Sequence, residues 1–289
     1  MNGRNMNGKP LKNGRASRRR AASCVALICL FAAAVWTVAQ AQSPAPQNML
    51  GVWQGFFQEL SSDPQIPPVP RVLVRSEITS QELRRINGVM EVGGIEPCVL
   101  TFNGTVAASD RVNVQGRHEE HHGVAKLDLH DFGGGAAILD GSLALLVAGG
   151  RVSDGSLLLL RPFSTNPDDT VPNPAGSYGG TFQNADGTKG DITAELEPPD
   201  PSHPTSFSGR LVIAAFGARQ EFELLGTINA AGLFIAIGQA PVAGPSLSLN
   251  GTYVEVPDAN GSIDLTGSLK LAVNDGTVHE GTFSMRRER

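Results

Sequence analysis

Cysteine is nearly absent from this chain. Of its three copies, Cys24 and Cys29 lie in an N-terminal apolar run, and only Cys98 stands in the body. No internal disulfide can form once that run is removed, so the fold must rest on its hydrophobic core, where Cys98 reads as a small apolar residue. Aromatics are few: beyond residue 41 there are one tryptophan and two tyrosines. That composition argues against a sugar-binding surface of exposed aromatic platforms and against the aromatic girdles of an outer-membrane barrel. Nucleophile and zinc motifs (Gly-x-Ser-x-Gly, His-Glu-x-x-His, a Cys/His pair) are missing. Gly133-Gly134-Gly135 follows no strand–helix pattern and reads as a turn rather than a phosphate loop. Carboxylates are scattered over turns, and no pair stands out as acid and base. The residues favour a non-enzymatic protein and imply no cofactor. Helix signals are scarce as well. Thr79-Ser80-Gln81-Glu82 has capping-box form, with Leu83 and Ile86 behind it and Gly88 as a stop, and reads as one short helix, with a strand bend as the alternative.

What is present begins with an address. Seven basic residues and no acid occupy the first 20 positions, an apolar run follows from Ala21 to about Val38, and Ala39-Gln40-Ala41 has the small-x-small form of a cleavage site. Residues 1–41 therefore read as a signal peptide and 42–49 as a spacer, with a secreted or periplasmic product starting at Gln42. The alternative is an uncleaved membrane anchor, since about 18 apolar residues can just span a bilayer; a membrane is a partner only in that case. Removing the segment leaves 16 of 23 basic residues against 28 acids, a net charge of −12. Such a surface repels nucleic acid and anionic lipid.

The body is a duplication. Leu139–Arg161 (LDGSLALLVAGGRVSDGSLLLLR) recurs without a gap as Leu265–Arg287 (LTGSLKLAVNDGTVHEGTFSMRR), 126 positions on, with ten identities. Gly51–Gln58 likewise aligns with Gly176–Gln183, 125 positions on. Two copies of so long a period mean tandem domains rather than a solenoid. The predicted layout is a β domain over 50–163, a proline-rich linker over 164–175 and a second β domain over 176–289. Each copy reads as about seven or eight short alternating strands joined by Gly, Asn and Asp turns. That predicts an all-β protein of two antiparallel meanders, each a barrel or a sandwich. The second copy gives eight strands, near 177–183, 189–196, 206–215, 219–227, 232–238, 246–255, 261–273 and 278–287. The first gives seven, near 50–58, 71–78, 97–107, 110–117, 123–130, 135–147 and 155–162.

Alternate residues of a strand face opposite sides of the sheet. In the second copy the closing hairpin is half polar: Leu269, Leu271, Phe283 and Met285 face in, Lys270, Ser284 and Arg286 face out. The first copy keeps the inward set but turns Leu146, Leu158 and Leu160 outward. Sheets apolar on both faces are covered on both, so these three leucines are expected to pack against the second domain or a partner chain, the alternative being cover by the chain's own loop Ser61–Pro70.

Each copy opens with Gly-x-aromatic-x-Gly and ends on an arginine: Trp53 with Arg161, Tyr178 with Arg287. This resembles the calycin barrels, the lipocalin and avidin group, where Gly-x-Trp opens the first strand and a last-strand arginine lies over the tryptophan. The resemblance covers about ten residues per copy and departs from the family in the tyrosine of the second. It implies cation–π caps of Arg161 on Trp53 and Arg287 on Tyr178, each worth about 1 kcal/mol.

The densest polar cluster is Arg117-His118-Glu119-Glu120-His121-His122. On a continuous strand His118, Glu120 and His122 would share one face, a metal-competent set with His121 beside it. A metal-dependent activity there is the alternative to the main expectation, a secreted binding or structural module for a small apolar ligand or a protein partner.

Overall fold

The computed structural model describes residues 47–60, 70–93, 97–146, 152–166, 168–199, 201–215, 218–242, 244–256, 262–273 and 277–287. The apolar run, its cleavage site and the proline loop 61–69 lie outside them. The described residues form sixteen strands. Eight belong to the first copy: β1 (Gly51–Glu59), β2 (Val72–Glu82), β3 (Arg85–Val92), β4 (Cys98–Val106), β5 (Arg111–His118), β6 (His121–Gly133), β7 (Ala136–Leu146) and β8 (Val152–Arg161). Eight belong to the second: β9 (Gly176–Asn184), β10 (Lys189–Leu196), β11 (Ser206–Ala215), β12 (Ala218–Ile228), β13 (Leu233–Gln239), β14 (Ser246–Glu255), β15 (Ile263–Ala272) and β16 (Val278–Arg287).

Every strand pairs antiparallel with its successor, and the last pairs with the first, so each copy is a closed eight-stranded barrel. Closure removes the unpaired edges a sandwich would leave. It also demands a close approach of first and last strand, and glycines on both make room, Gly55 and Gly155 in the first copy and Gly180 and Gly281 in the second. A Cβ on Gly55 would collide with the Leu158 carbonyl, and one on Gly180 with the Ser284 carbonyl.

The helix expected after Thr79 is absent. β2 runs through Glu82 and turns over Leu83–Arg84 directly into β3. The capping-box spelling is overridden by the alternation of buried Ile86, Gly88, Met90 and Val92 with more exposed neighbours, the period of a strand facing a core on one side. The first copy thereby gains its eighth strand.

Eight strands enclose a space that side chains can fill. Trp53, Phe57, Ile86, Leu100, Leu157 and Leu159 fill the first barrel, and Tyr178, Ile192, Leu211, Phe222, Leu224 and Phe283 the second. The cavity left in each is about 10 Å³, at the lower limit for one water. Neither interior has room for a small apolar ligand, because the inward apolar side chains fill it. Cys98 is one of the buried residues, and burial pushes its thiol pKa up, as expected of an inert core cysteine.

The two barrels lie in one compact unit, Gln47–Arg289. A third apolar cluster joins them: Phe56, Ile138, Leu158, Leu160 and Phe163 from the first barrel and its exit, Ile235 and Ile237 from β13 of the second. At one end of this seam the Phe163 N–H donates to Thr227 Oγ1 at 3.0 Å; at the other Pro70 bridges to Val242. The barrels therefore stand side by side with corresponding ends level. Polar pairs flank the seam, Arg71 with Glu223 and Lys270 with Asp140.

Candidate functional site

The histidine cluster does not assemble. β5 ends at His118, Glu119 and Glu120 form a two-residue turn, and β6 begins at His121, so His118 and His121 are cross-strand partners. Glu119 takes the first turn position with φ +50°. Because the chain reverses between them, His118, Glu120 and His122 do not share a strand face. His118 and His121 have the inward parity of Val114 and Ala125, while His122 points out beside Arg117. Among the described residues no three His, Cys, Asp or Glu side chains gather at metal-binding distance. The four residues expected to hold a metal, His118, Glu120, His121 and His122, thus lie at a solvated hairpin tip.

The outward leucines divide. Leu158 and Leu160 are buried in the seam. Leu146 is 38% exposed and pairs with His122, on the same strand as Ile138 but about 27 Å away at strand rise. It is not among the residues packed in the seam between the barrels. The seam's other half, Ile235 and Ile237, was not anticipated. Its signal is the unbroken apolar run Leu233-Phe234-Ile235-Ala236-Ile237, whose β13 is buried on both faces from Phe234 onward.

The barrel ends carry the most elaborate constructions. Arg161 stands over the Trp53 ring, its Cζ 4.9 Å from the centroid. The Trp53 indole N–H donates to the Met49 carbonyl at 3.0 Å, and the Tyr178 hydroxyl donates to the Pro174 carbonyl at 2.7 Å, four residues back in both cases. The Asn48 side chain accepts from the Leu50 N–H and the Asn173 side chain from the Ala175 N–H, both at 3.0 Å. The repeat thus begins three residues earlier than Gly51 and Gly176 suggest, as Asn-x-x-Gly-x-aromatic, a spelling visible once the alignment is carried upstream. In each copy the segment before the first strand folds over the barrel mouth. Met49 is fully buried in the first, and Pro174 lines the residual cavity of the second. Arg287 is the cross-strand partner of Tyr178.

Burial governs the chemistry of these plugs. Tyr178 has its pKa pushed up to about 12, chiefly by burial, against the opposing pull of Arg287. The Arg161 pKa is lowered by burial, with Asp131 acting the other way. Arg161 donates from Nε to the Gly135 carbonyl at 2.6 Å and from Nη1 to the Asn48 and Leu50 carbonyls. Around it opens a cleft of about 500 Å³, lined by Asn48, Leu50, Asp131, the Gly133–Gly135 backbone and Phe163. A second opening of about 260 Å³ runs along the seam between Asp140, Ser156, Ser246 and Lys270.

No family model matches the chain, and no curated protein matches it. Among solved structures, one similar chain is a Nitrosomonas europaea protein provisionally named AttH, 11% identical, with 83% of this chain and 94% of that one covered and a TM-score of 0.28. A score that low carries no argument about function.

Proposed function

We propose that this protein is an exported, non-enzymatic module that binds a partner or serves structurally through its outer surfaces and barrel ends. The observation that carries the reading is the filling of both interiors to about 10 Å³. Ligand-carrying barrels need a lumen of several hundred Å³; here the same space is spent on core. The basic lead, apolar run and Ala39-Gln40-Ala41 support export with the product beginning at Gln42. A calycin-like ancestry is supported by Trp53 beneath Arg161 in an eight-stranded meander. The seam adds to the outward reading, because it makes one surface of two barrels.

The test is a neutral naphthylamine dye that brightens on entering apolar cavities. No saturable brightening is expected at any protein concentration. Saturable, stoichiometric brightening would show a usable lumen and overturn the reading.

A further inference from the structure

We infer that the cleft at the plugged end of the first barrel is a binding site for an amphipathic anion, a carboxylate or phosphate head on an apolar tail. The inference rests on the outward reading above and specifies what one part of that surface takes.

A guanidinium has five N–H donors in a fixed fork. Arg161 uses Nε and Nη1 on three backbone carbonyls, and among the described residues Nη2 has no hydrogen-bond partner. Among the described residues no carboxylate forms an ion pair with it. A half-buried cation satisfied only by carbonyl dipoles still favours an anion, and Nη2 keeps its own N–H donors for one. Asp131 shares the cleft, but its Oδ1 accepts the Gly133 N–H at 2.9 Å, which ties it to the turn. The cleft wall is bare backbone there: Gly133, Gly134 and Gly135 all have positive φ, and a Cβ on Gly133 would meet open space.

The tail has its own surface. Leu50 and Phe132 are 43% and 37% exposed at this end, with Val52 and Phe163 lining the cleft. At about 500 Å³ the opening falls in the usual range for small-molecule sites. Neither a free small anion nor a neutral lipid would use both features.

Trp53 lies under Arg161 and reports on the site directly. In the full chain carrying Trp36→Phe it is the sole tryptophan. Titration with 2-bromododecanoate, whose bromine sits beside the carboxylate and quenches tryptophan at short range without touching the ring, is expected to quench Trp53 saturably. Unbrominated dodecanoate should reverse the quenching. Bromoacetate, head without tail, should act at concentrations at least about tenfold higher, since apolar contacts of this size discriminate by that much. Asp131→Asn, which keeps the oxygen that accepts from Gly133, should tighten binding about threefold by removing a like charge. Leu50→Ser with Phe132→Ser should weaken it about tenfold.

Absence of saturable quenching overturns the site, equal potency of bromoacetate overturns the tail, and indifference to Asp131→Asn overturns the role of charge. A bright neutral dye with an intact Trp53 response would instead refute the outward reading and leave the cleft standing.

Discussion

Tyr178 shows how a single side chain ties the fold to pH. Its hydroxyl is sealed against the Pro174 carbonyl, and burial pushes its pKa up to about 12. In the unfolded chain it titrates near 10. A raised pKa means the folded state favours the protonated phenol. The stability it contributes is therefore complete below about pH 10 and is lost as pH rises toward 12. In an alkaline titration followed at 295 nm, one tyrosine should ionise only near pH 12 or with unfolding. Tyr178→Phe should remove that late step and flatten the alkaline loss of stability. Ionisation of both tyrosines near pH 10 with the fold intact would mean that the mouth of the second barrel is open to water.

At the scale of the element, hairpin turns carry the most information. In the second copy, Asn184-Ala185-Asp186-Gly187 and Asn229-Ala230-Ala231-Gly232 supply residues that accept left-handed backbone, with Gly187 at φ +88° and Gly232 at φ +76°. All eight of its strands were legible for that reason. In the first copy the β2–β3 turn uses Leu83 at φ +53° with 83% of its surface exposed, a position where glycine is usual. Leucine gives no turn signal, so β3 could not be read and a helix was expected in its place. The β5–β6 turn also lacks glycine, with Glu119 at φ +50°, yet it was legible because the strand patterns near 110–117 and 123–130 stop on either side of it. Leu83→Gly should relieve this strain while losing no buried contact. A gain of about 1 kcal/mol is expected, seen as a melting temperature about 2–4 °C higher. A lower melting temperature would show that Leu83 holds the hairpin by contacts other than its backbone.

The whole molecule depends on a face that strand alternation half revealed. Doubled leucines on β8 signalled a covered outer face, and Leu158 and Leu160 are indeed packed between barrels. What covers them was harder to name, because Ile235 and Ile237 sit in a run that reads equally well as ordinary core. The plugs at the barrel mouths were legible only as the pairs Trp53–Arg161 and Tyr178–Arg287. The cleft beside Arg161 depends on where the Gly133–Gly135 turn falls in space, which no spacing rule conveys. Burial of Leu158, Leu160, Ile235 and Ile237 contributes on the order of 6–10 kcal/mol by transfer values, enough to couple the barrels. Ile235→Ser with Ile237→Ser alters only the outer face of β13. Scanning calorimetry should show one unfolding transition for the unaltered chain and two for this variant, the first at markedly lower temperature. Two transitions before substitution would mean that the barrels unfold independently of the seam.

That seam also sets a timetable. The chain is made from its N-terminus, and the first barrel has all its strands once Arg161 has emerged. Ile235 and Ile237 follow about 75 residues later. At about 5–20 residues per second the delay is roughly 4–15 s, while closure of a small β domain takes milliseconds to seconds. A first barrel that closes within that interval, at the ribosome or on leaving an export channel, presents a bare stripe of Phe56, Ile138, Leu158 and Leu160. Crowding and neighbouring nascent chains act on this half-made form, and its survival depends on how soon the second copy arrives.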